Sequence, residues 1–432
     1  MQGDHLPVAA APEATGLRVT ERPGLPGGFA AGAVAAGIKA SGRPDLAVVA
    51  VTTPQPAAAA ATFTQNQVTA APVRLSRAHL AVTGGSARGV IVTSGCANAA
   101  TGPAGDADQA AVAALLAEAL GCRPPETLLA ATGLIGMRLP VDRVATGIAV
   151  LVPGGLRADG EGLAAVAEAI MTTDRRRKLA GASLELPGPD GAPRRVRVAG
   201  FAKGVGMIHP DMATMIAVLL TDATVEAATL AGLLRAAVDE TFNLLTVDGD
   251  TSTNDTVFAL ASGAAGNAPV EAGAPGATAL GAAIQAVCRS LARQQAADGE
   301  GATTLLTCRV RGAADREDAR AVARAVAGSS LVKAAVHGRD PNWGRIAAAA
   351  GRARRPNGRP VALDVATLRV AIGGTSVFAG MPLEFDTAAV REAMAPPEVV
   401  VEVDLGQGDA AAEAWGCDLT EAYVRENAEY ST

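Results

Sequence analysis

The bond Ala213–Thr214 lies inside KGVGMIHPDMATMIAVLLTD (203–222), a stretch otherwise apolar enough for a buried strand. A threonine hydroxyl is a weak nucleophile until a base takes its proton. One solution makes the threonine the first residue of a chain, so that its own α-amine is that base. An α-amine titrates near about 7.7–8 and is partly neutral at physiological pH. Creating it within a chain requires cutting the bond before Thr214, and the same hydroxyl can do this by attacking the Ala213 carbonyl. The small Ala213 side chain leaves that carbonyl sterically open, and glycines and a proline precede the run.

Acyl transfer also needs donors prepared for a tetrahedral oxyanion. ATGLIG (131–136) offers Thr132 and Gly133 at a turn that glycine permits, although an ordinary strand-to-loop turn reads the same way. Glu300 in DGEGATTL is an acid pinned between two glycines, which by itself reads as a solvated loop acid. Lys203 by itself reads as a surface charge. Thr172 and Thr173 stand together in MTTD, and Asn427 and Thr432 belong to a terminal segment of the kind that usually frays. TVDGDTSTND (246–255) holds three aspartates, which are expected to tie turns and helix starts together rather than to bind a metal. KGVG lacks the residue order of a phosphate-binding loop. The four histidines have no partner visible in sequence, and Met207, Met212 and Met215 read as core packing.

The elements that must position these residues alternate between short β-branched runs and alanine-rich helices. DLAVVAVTT (45–53) begins the short β-branched runs, GVIVTSGCANAATG (89–102) reads as a strand ending in a small-residue loop, and TLLAATGLIG (127–136) repeats the strand-then-glycine pattern. DADQAAVAALLAEAL (106–120) reads as a helix with an aspartate at its N-cap, and GLAAVAEAIM (162–171) as a second helix. Residues 181–204 read as a hairpin turning at Pro189–Asp190–Gly191. Further helices are expected near 225–240 and 277–296, strands near 303–311 and 361–371, and a loop over 263–277. The first 16 residues read as a loose arm. With no fixed repeat and no long linker, the two halves of the chain are expected to interleave.

Composition narrows the class. The 432 residues can bury a large core, and the 49% hydrophobic content with only 3% aromatics makes that core one of Ala, Val and Leu. A net charge of −6 argues against nucleic-acid binding, and DRRRK (174–178) is expected to be a solvated surface. The five scattered cysteines suggest neither a disulfide framework nor a zinc site. Without a signal-like start or a bilayer-length apolar run, the expectation is a cytoplasmic protein with no membrane partner.

Taken together, these motifs resemble the ornithine acetyltransferase family, the bifunctional glutamate N-acetyltransferases, whose members cut themselves before a threonine in KGxGMxxPxMAT. Lys203, Gly204, Gly206, Met207, Pro210, Met212, Ala213 and Thr214 all match. FTQNQVTAAPV, TSGCANAATG, ATGLIG, TVDGDTSTND, DGEGATTL, HGRDPNWGRI and ENAEYST follow in the family's order from about residue 28 to Thr432. The resemblance implies an α/β fold of the DOM type, built from two interlocked halves. It implies an α chain (1–213) and a β chain (214–432), assembled as an α2β2 heterotetramer. It further implies acetyl transfer from N2-acetylornithine to glutamate through Thr214. Thr132 and Gly133 would serve the oxyanion, and Thr172, Thr173, Lys203, Glu300, Asn427 and Thr432 the substrate. Lys203 would stand beside the substrate carboxylate or the reacting threonine, and Glu300 would be catalytic as well, meeting a substrate ammonium and assisting proton transfer. No metal or organic cofactor is implied, and acetyl-CoA enters only as an alternative acetyl donor. DPNWGR (340–345) reads as a tight turn that braces the pocket or a subunit contact.

Two departures bear on the role. Cys96 stands where the family often has Asn, and His209 and Asp211 replace Ala and Asn around Pro210. This form resembles members from clavulanic acid-type clusters, so related acyl transfer in a specialised pathway is the alternative, with weak or absent use of acetyl-CoA. Rivals from other classes are an uncleaved amino-acid-binding protein and, more remotely, a metal-dependent phosphotransferase.

Overall fold

The computed structural model describes residues 17–152, 154–209, 215–395 and 397–428. Ala213, Thr214, Met212, Thr432 and the expected N-terminal arm lie outside the described residues. In chain order the first strands are β1 (Phe29–Val34), β2 (Leu46–Val51), β3 (Ala57–Phe63), β4 (Ser86–Ala87) and β5 (Gly89–Cys96). They are followed by β6 (Thr127–Leu134), β7 (Lys178–Pro187), β8 (Pro193–Lys203), β9 (Ile216–Thr221) and β10 (Thr256–Ala261). β1-β2-β5-β6 form one sheet and β4-β3-β10-β9-β8-β7 another.

The two sheets face each other. Alternation along each strand sends Ala47, Val49, Val90 and Val92 from one sheet, and Phe201, Ile216, Val218 and Leu220 from the other, into a shared core. The opposite side of the first sheet, with Leu46, Val48, Ile91 and Leu129, packs on the helices Gly102–Leu120 and Val141–Leu151. The opposite side of the second, with Ala217, Leu219, Val257 and Ala259, packs on Ala227–Asp239 and Pro275–Ala297. β9 is therefore covered on both faces and reads as an unbroken apolar run, as a strand buried on both sides should.

The second sheet is where the halves interlock. Its β3, β4, β7 and β8 precede residue 214, whereas β9 and β10 follow it. β9 lies between β8 and β10, and β10 between β9 and β3. A third sheet completes the mixed α/β fold, in the order β13-β12-β14-β11-β15. Its strands are β11 (Leu305–Ala313), β12 (Arg369–Ile372), β13 (Thr375–Ala379), β14 (Glu398–Asp404) and β15 (Ala410–Cys417).

Most expected elements are present, the 181–204 hairpin among them, and all five cysteines are free thiols. Three readings need correction. The helix placed at 106 starts at Gly102, capped at Thr101 without a side-chain bond and with proline in its first turn. Proline's fixed φ suits that position, and Asp106 and Asp108 instead pair with Arg74 and Arg138. The strand expected over 361–371 is reduced to β12, because 361–368 form a loop closed by Asp364. Met207 is 40% exposed with φ +54°, so it is a turn residue and not core, whereas Met215 is buried.

Candidate active site

Seven segments converge on one cleft: Ala97 just after β5, the end of β6, the 171–178 link into β7, the end of β8 and the turn after it, the 252–254 loop before β10, the loop after Pro275–Ala297, and the helix carrying Asn427. Thr132 is 3% exposed near the end of β6. Gly133 follows with φ +127°, and a Cβ there would lie 2.3 Å from the Gly95 carbonyl carbon on β5. Only glycine lets the two strands approach so closely at this point. Asn254 holds the same corner from outside, donating to the carbonyls of Ala97 (2.7 Å) and Ala131 (2.8 Å).

Lys203, the last residue of β8, is also 3% exposed, and its Nζ donates to Thr132 Oγ1 at 3.2 Å. The Thr132 oxygen thus accepts from an ammonium, which leaves its own O–H to donate elsewhere, an arrangement suited to a developing oxyanion. Burial pushes the Lys203 ammonium below the ordinary lysine range. Lys178 adds to that fall, while Asp174, Glu300 and Asp255 oppose it.

Glu300 sits half-buried opposite. Its Oε1 accepts from Thr173 Oγ1 (2.7 Å) and its Oε2 from Asn427 Nδ2 (2.9 Å), so both oxygens are held by neutral donors. Its backbone N–H donates to the Val205 carbonyl at 2.9 Å, which fixes the loop against the end of β8. A Cβ on Gly206 would lie 2.2 Å from Glu300 Oε2, so that glycine makes room for the carboxylate. The C-terminal helix Glu421–Ala428 brings Asn427 here and is anchored where Thr420 Oγ1 donates to the Gly301 carbonyl (2.8 Å).

The described residues named from sequence, Thr132, Gly133, Thr172, Thr173, Lys203, Glu300 and Asn427, therefore share one cleft. Its lining also includes Ala97, Ile135, Met207 and Ser252–Asn254, which the sequence did not single out as site residues. The aspartates of 246–255 do tie the backbone together, at a telling place. Asp248 accepts from the N–H groups of Met207 and Ile208, and Asp255 from that of Met215 at 2.8 Å. These bonds grip both sides of the segment that carries Ala213–Thr214. Burial pushes the Asp255 carboxyl well above the usual range, and its Oδ2 has no hydrogen-bond partner among the described residues.

DRRRK departs from its expected surface role. Asp174 and Lys178 are buried and ion-paired at 2.7 Å, whereas Arg175 and Arg177 reach the surface. The Asp340–Arg345 turn caps the helix Trp343–Gly351, with Asn342 accepting from Arg345 N, and lies outside the cleft lining. His79, His209 and His337 bond Thr127 O, Thr246 Oγ1 and Asp418 Oδ2 respectively. Among the described residues, no helix is long and apolar enough to cross a membrane.

The ArgJ family model matches residues 30–432. The arginine biosynthesis bifunctional protein ArgJ of Thermus thermophilus is 47% identical over 408 residues, spanning 94% of this chain and 99% of that protein. The protein of the same name from Deinococcus radiodurans is also 47% identical over 408 residues, with 94% and 98% covered. Among solved structures, ornithine acetyltransferase of Mycobacterium tuberculosis complexed with ornithine is 43% identical. That match covers 45% of this chain and 98% of that one, with a TM-score of 0.40.

Proposed function

The chain belongs to the ArgJ family, and on that premise we propose how its cleft works as an ornithine acetyltransferase of arginine biosynthesis. The reaction moves the acetyl group of N2-acetylornithine to glutamate. The named relatives are arginine-biosynthesis proteins, which favours that role over a specialised pathway. The observation that carries the cleft's part is the pairing of Lys203 with Thr132 opposite a Glu300 held by the neutral donors Thr173 and Asn427.

In this reading the chain cuts itself between Ala213 and Thr214 into residues 1–213 and 214–432. Thr214 Oγ attacks the acetyl carbon and its proton passes to the Thr214 α-amine. The oxyanion takes hydrogen bonds from the Thr132 hydroxyl and the Gly133 N–H. The C–N bond breaks as the α-ammonium returns the proton to the leaving nitrogen of ornithine, and an acetyl ester remains on Thr214. The glutamate amine then attacks the ester, gives its proton to the α-amine, and leaves as N-acetylglutamate with Thr214 restored.

Glu300 supplies the negative charge for the distal ammonium of ornithine, with Thr173 and Asn427 setting its orientation. Lys203 faces the substrate carboxylate and polarises Thr132, and Thr172 and Thr432 complete the substrate contacts. The cycle balances without a metal or organic cofactor, and acetyl-CoA enters only as an alternative donor. Two cut molecules form an α2β2 assembly in the cytoplasm, a reading supported by the family resemblance.

Incubation with N2-acetylornithine alone, followed by intact-mass analysis, tests this directly. The expected result is a second fragment starting at Thr214 and carrying one acetyl group, which glutamate removes. An active protein that stays a single 42.9 kDa chain overturns the reading.

A further inference from the structure

Behind the cleft lies a charged cluster that the proposed reaction does not use. Lys178, the first residue of β7, has a fully buried side chain. Its ammonium donates to Asp174 Oδ1 (2.7 Å), Asp298 Oδ2 (2.7 Å) and the Arg176 carbonyl (3.2 Å), which uses all three protons. Asp174 is equally buried and accepts in turn from the backbone N–H groups of Gly204 (2.9 Å) and Thr172 (3.0 Å). Asp298, which ends the helix Pro275–Ala297, accepts from Arg175 N (3.1 Å) and Arg176 N (3.4 Å).

Each of these bonds fixes a segment that enters the cleft. Thr172 N belongs to the Thr172–Thr173 pair, Gly204 directly follows Lys203, and Asp298 stands two residues before Glu300. We propose that Lys178, clamped between Asp174 and Asp298, is a positioning residue for acyl transfer that sets Thr172–Thr173, Lys203 and Glu300 in register with one another. Asp298 follows residue 214 and the other two precede it, so the clamp also spans the proposed cut.

Three observations favour this over simple packing. Burying an ammonium between two carboxylates is an expensive way to fill a core, and an apolar cluster of similar volume is commonly as stable or more so. The carboxylates spend their remaining lone pairs on backbone N–H groups of the site segments, so the cluster specifies backbone positions as well as filling space. Finally, it sets the field at Lys203. The charged groups acting on that ammonium are Asp174 and Lys178 from the 171–178 link, Glu300 from the loop after Pro275–Ala297, Asp255 before β10, and Lys39 from the loop after β1. Asp174 favours its protonated form and Lys178 disfavours it.

The proposal rests on the acetyltransferase reading, so the unmodified protein is assayed first with acetylornithine and glutamate. Absence of transfer there overturns that reading rather than this one. Lys178→Met combined with Asp298→Asn removes one charge of each sign and spares the core an unpaired ammonium or an added net charge. Active sites are counted by acetyl-enzyme formation, so that a folding loss does not pass for a catalytic one. Per active site, kcat is expected to fall roughly 10–10²-fold, the scale of a misplacement near 1 Å.

The pH profile separates positioning from packing. The positive charge of Lys203 is what polarises Thr132 and attracts the substrate carboxylate, so its loss of a proton forms the basic limb. Removing Lys178 moves that limb to higher pH. Asp174→Asn, a second and isosteric variant, moves it to lower pH, by about one unit or more for the loss of a neighbouring opposite charge. Opposite shifts support the proposal. A double variant with parental kcat per active site, or an Asp174→Asn enzyme with an unmoved basic limb, overturns it.

Discussion

Two buried lysines end up about one strand apart with opposite surroundings. Lys178 opens β7 with two carboxylates and a carbonyl around its ammonium, whereas Lys203 closes β8 with a single hydroxyl as its hydrogen-bond acceptor among the described contacts. Both are almost wholly removed from water. The difference is in pairing: among the described residues the Lys178 ammonium meets two carboxylates, whereas the Lys203 ammonium forms no ion pair. Full pairing holds backbone in place. Incomplete pairing costs stability and leaves a group ready to engage a ligand.

The largest effect is expected from Thr214→Ala, which removes the proposed nucleophile. Cleavage and transfer should both vanish, while the melting temperature stays close to that of the uncut chain, as denaturing mass spectrometry and calorimetry together would reveal. Retained transfer would move the nucleophile elsewhere and remove one side of the contrast. Thr132→Ala should come next, lowering kcat about 10²–10³-fold with little change in substrate affinity. A loss carried mainly by KM would make Thr132 a substrate contact.

Behind the cleft the damage should appear as stability. Lys178→Met alone leaves Asp174 and Asp298 facing each other, and breaking a buried pair from one side costs about 3–5 kcal/mol. The Asp174 carboxyl gives the corresponding pH signature. Burial alone would raise it, but Lys178 and Lys203 outweigh burial and hold it well below the usual range. Its contribution to stability is thus complete above the unfolded value near about pH 4 and is lost as pH falls further. Denaturant unfolding between neutral and acid pH checks both statements. The smallest effect belongs to Arg177→Ala, whose guanidinium reaches Glu168 only at 3.8 Å with both side chains more than half exposed. That change should cost ~0.5 kcal/mol or less, and a larger cost would extend the paired cluster to the surface.

Legibility in the sequence followed the same division. β9 could be read because a strand covered on both faces has to be apolar throughout, and Thr132–Gly133 because a glycine after a strand marks a close approach or a turn. Glu300 and Thr173 were visible as candidates, although their 2.7 Å contact joins residues 127 positions apart and no local pattern encodes it. The buried cluster was misread because Asp174 and Lys178 flank three arginines, and a run of charge looks solvated until the fold shows that its ends point inward. The four-residue spacing of an acid and a base was the available signal. Asn254 was missed for a related reason, since its two acceptors lie on β6 and beyond β5, far away in sequence.

The alternation of strands in the second sheet bears on how the molecule could be lost and regained. With β9 seated between β8 and β10, and β10 against β3, a cut at Ala213–Thr214 leaves the fragments stitched through the middle of a sheet and not joined along an edge. An uncut chain that unfolds can retrace its path at a rate independent of dilution. A cut one becomes two molecules that must first meet, so its recovery turns second order and competes with aggregation of exposed strands. On the proposed cleavage, maturation would then be a one-way step. A cut enzyme would persist through slow unfolding, and its return from denaturant should weaken as the protein is diluted, while Thr214→Ala returns equally well at any concentration.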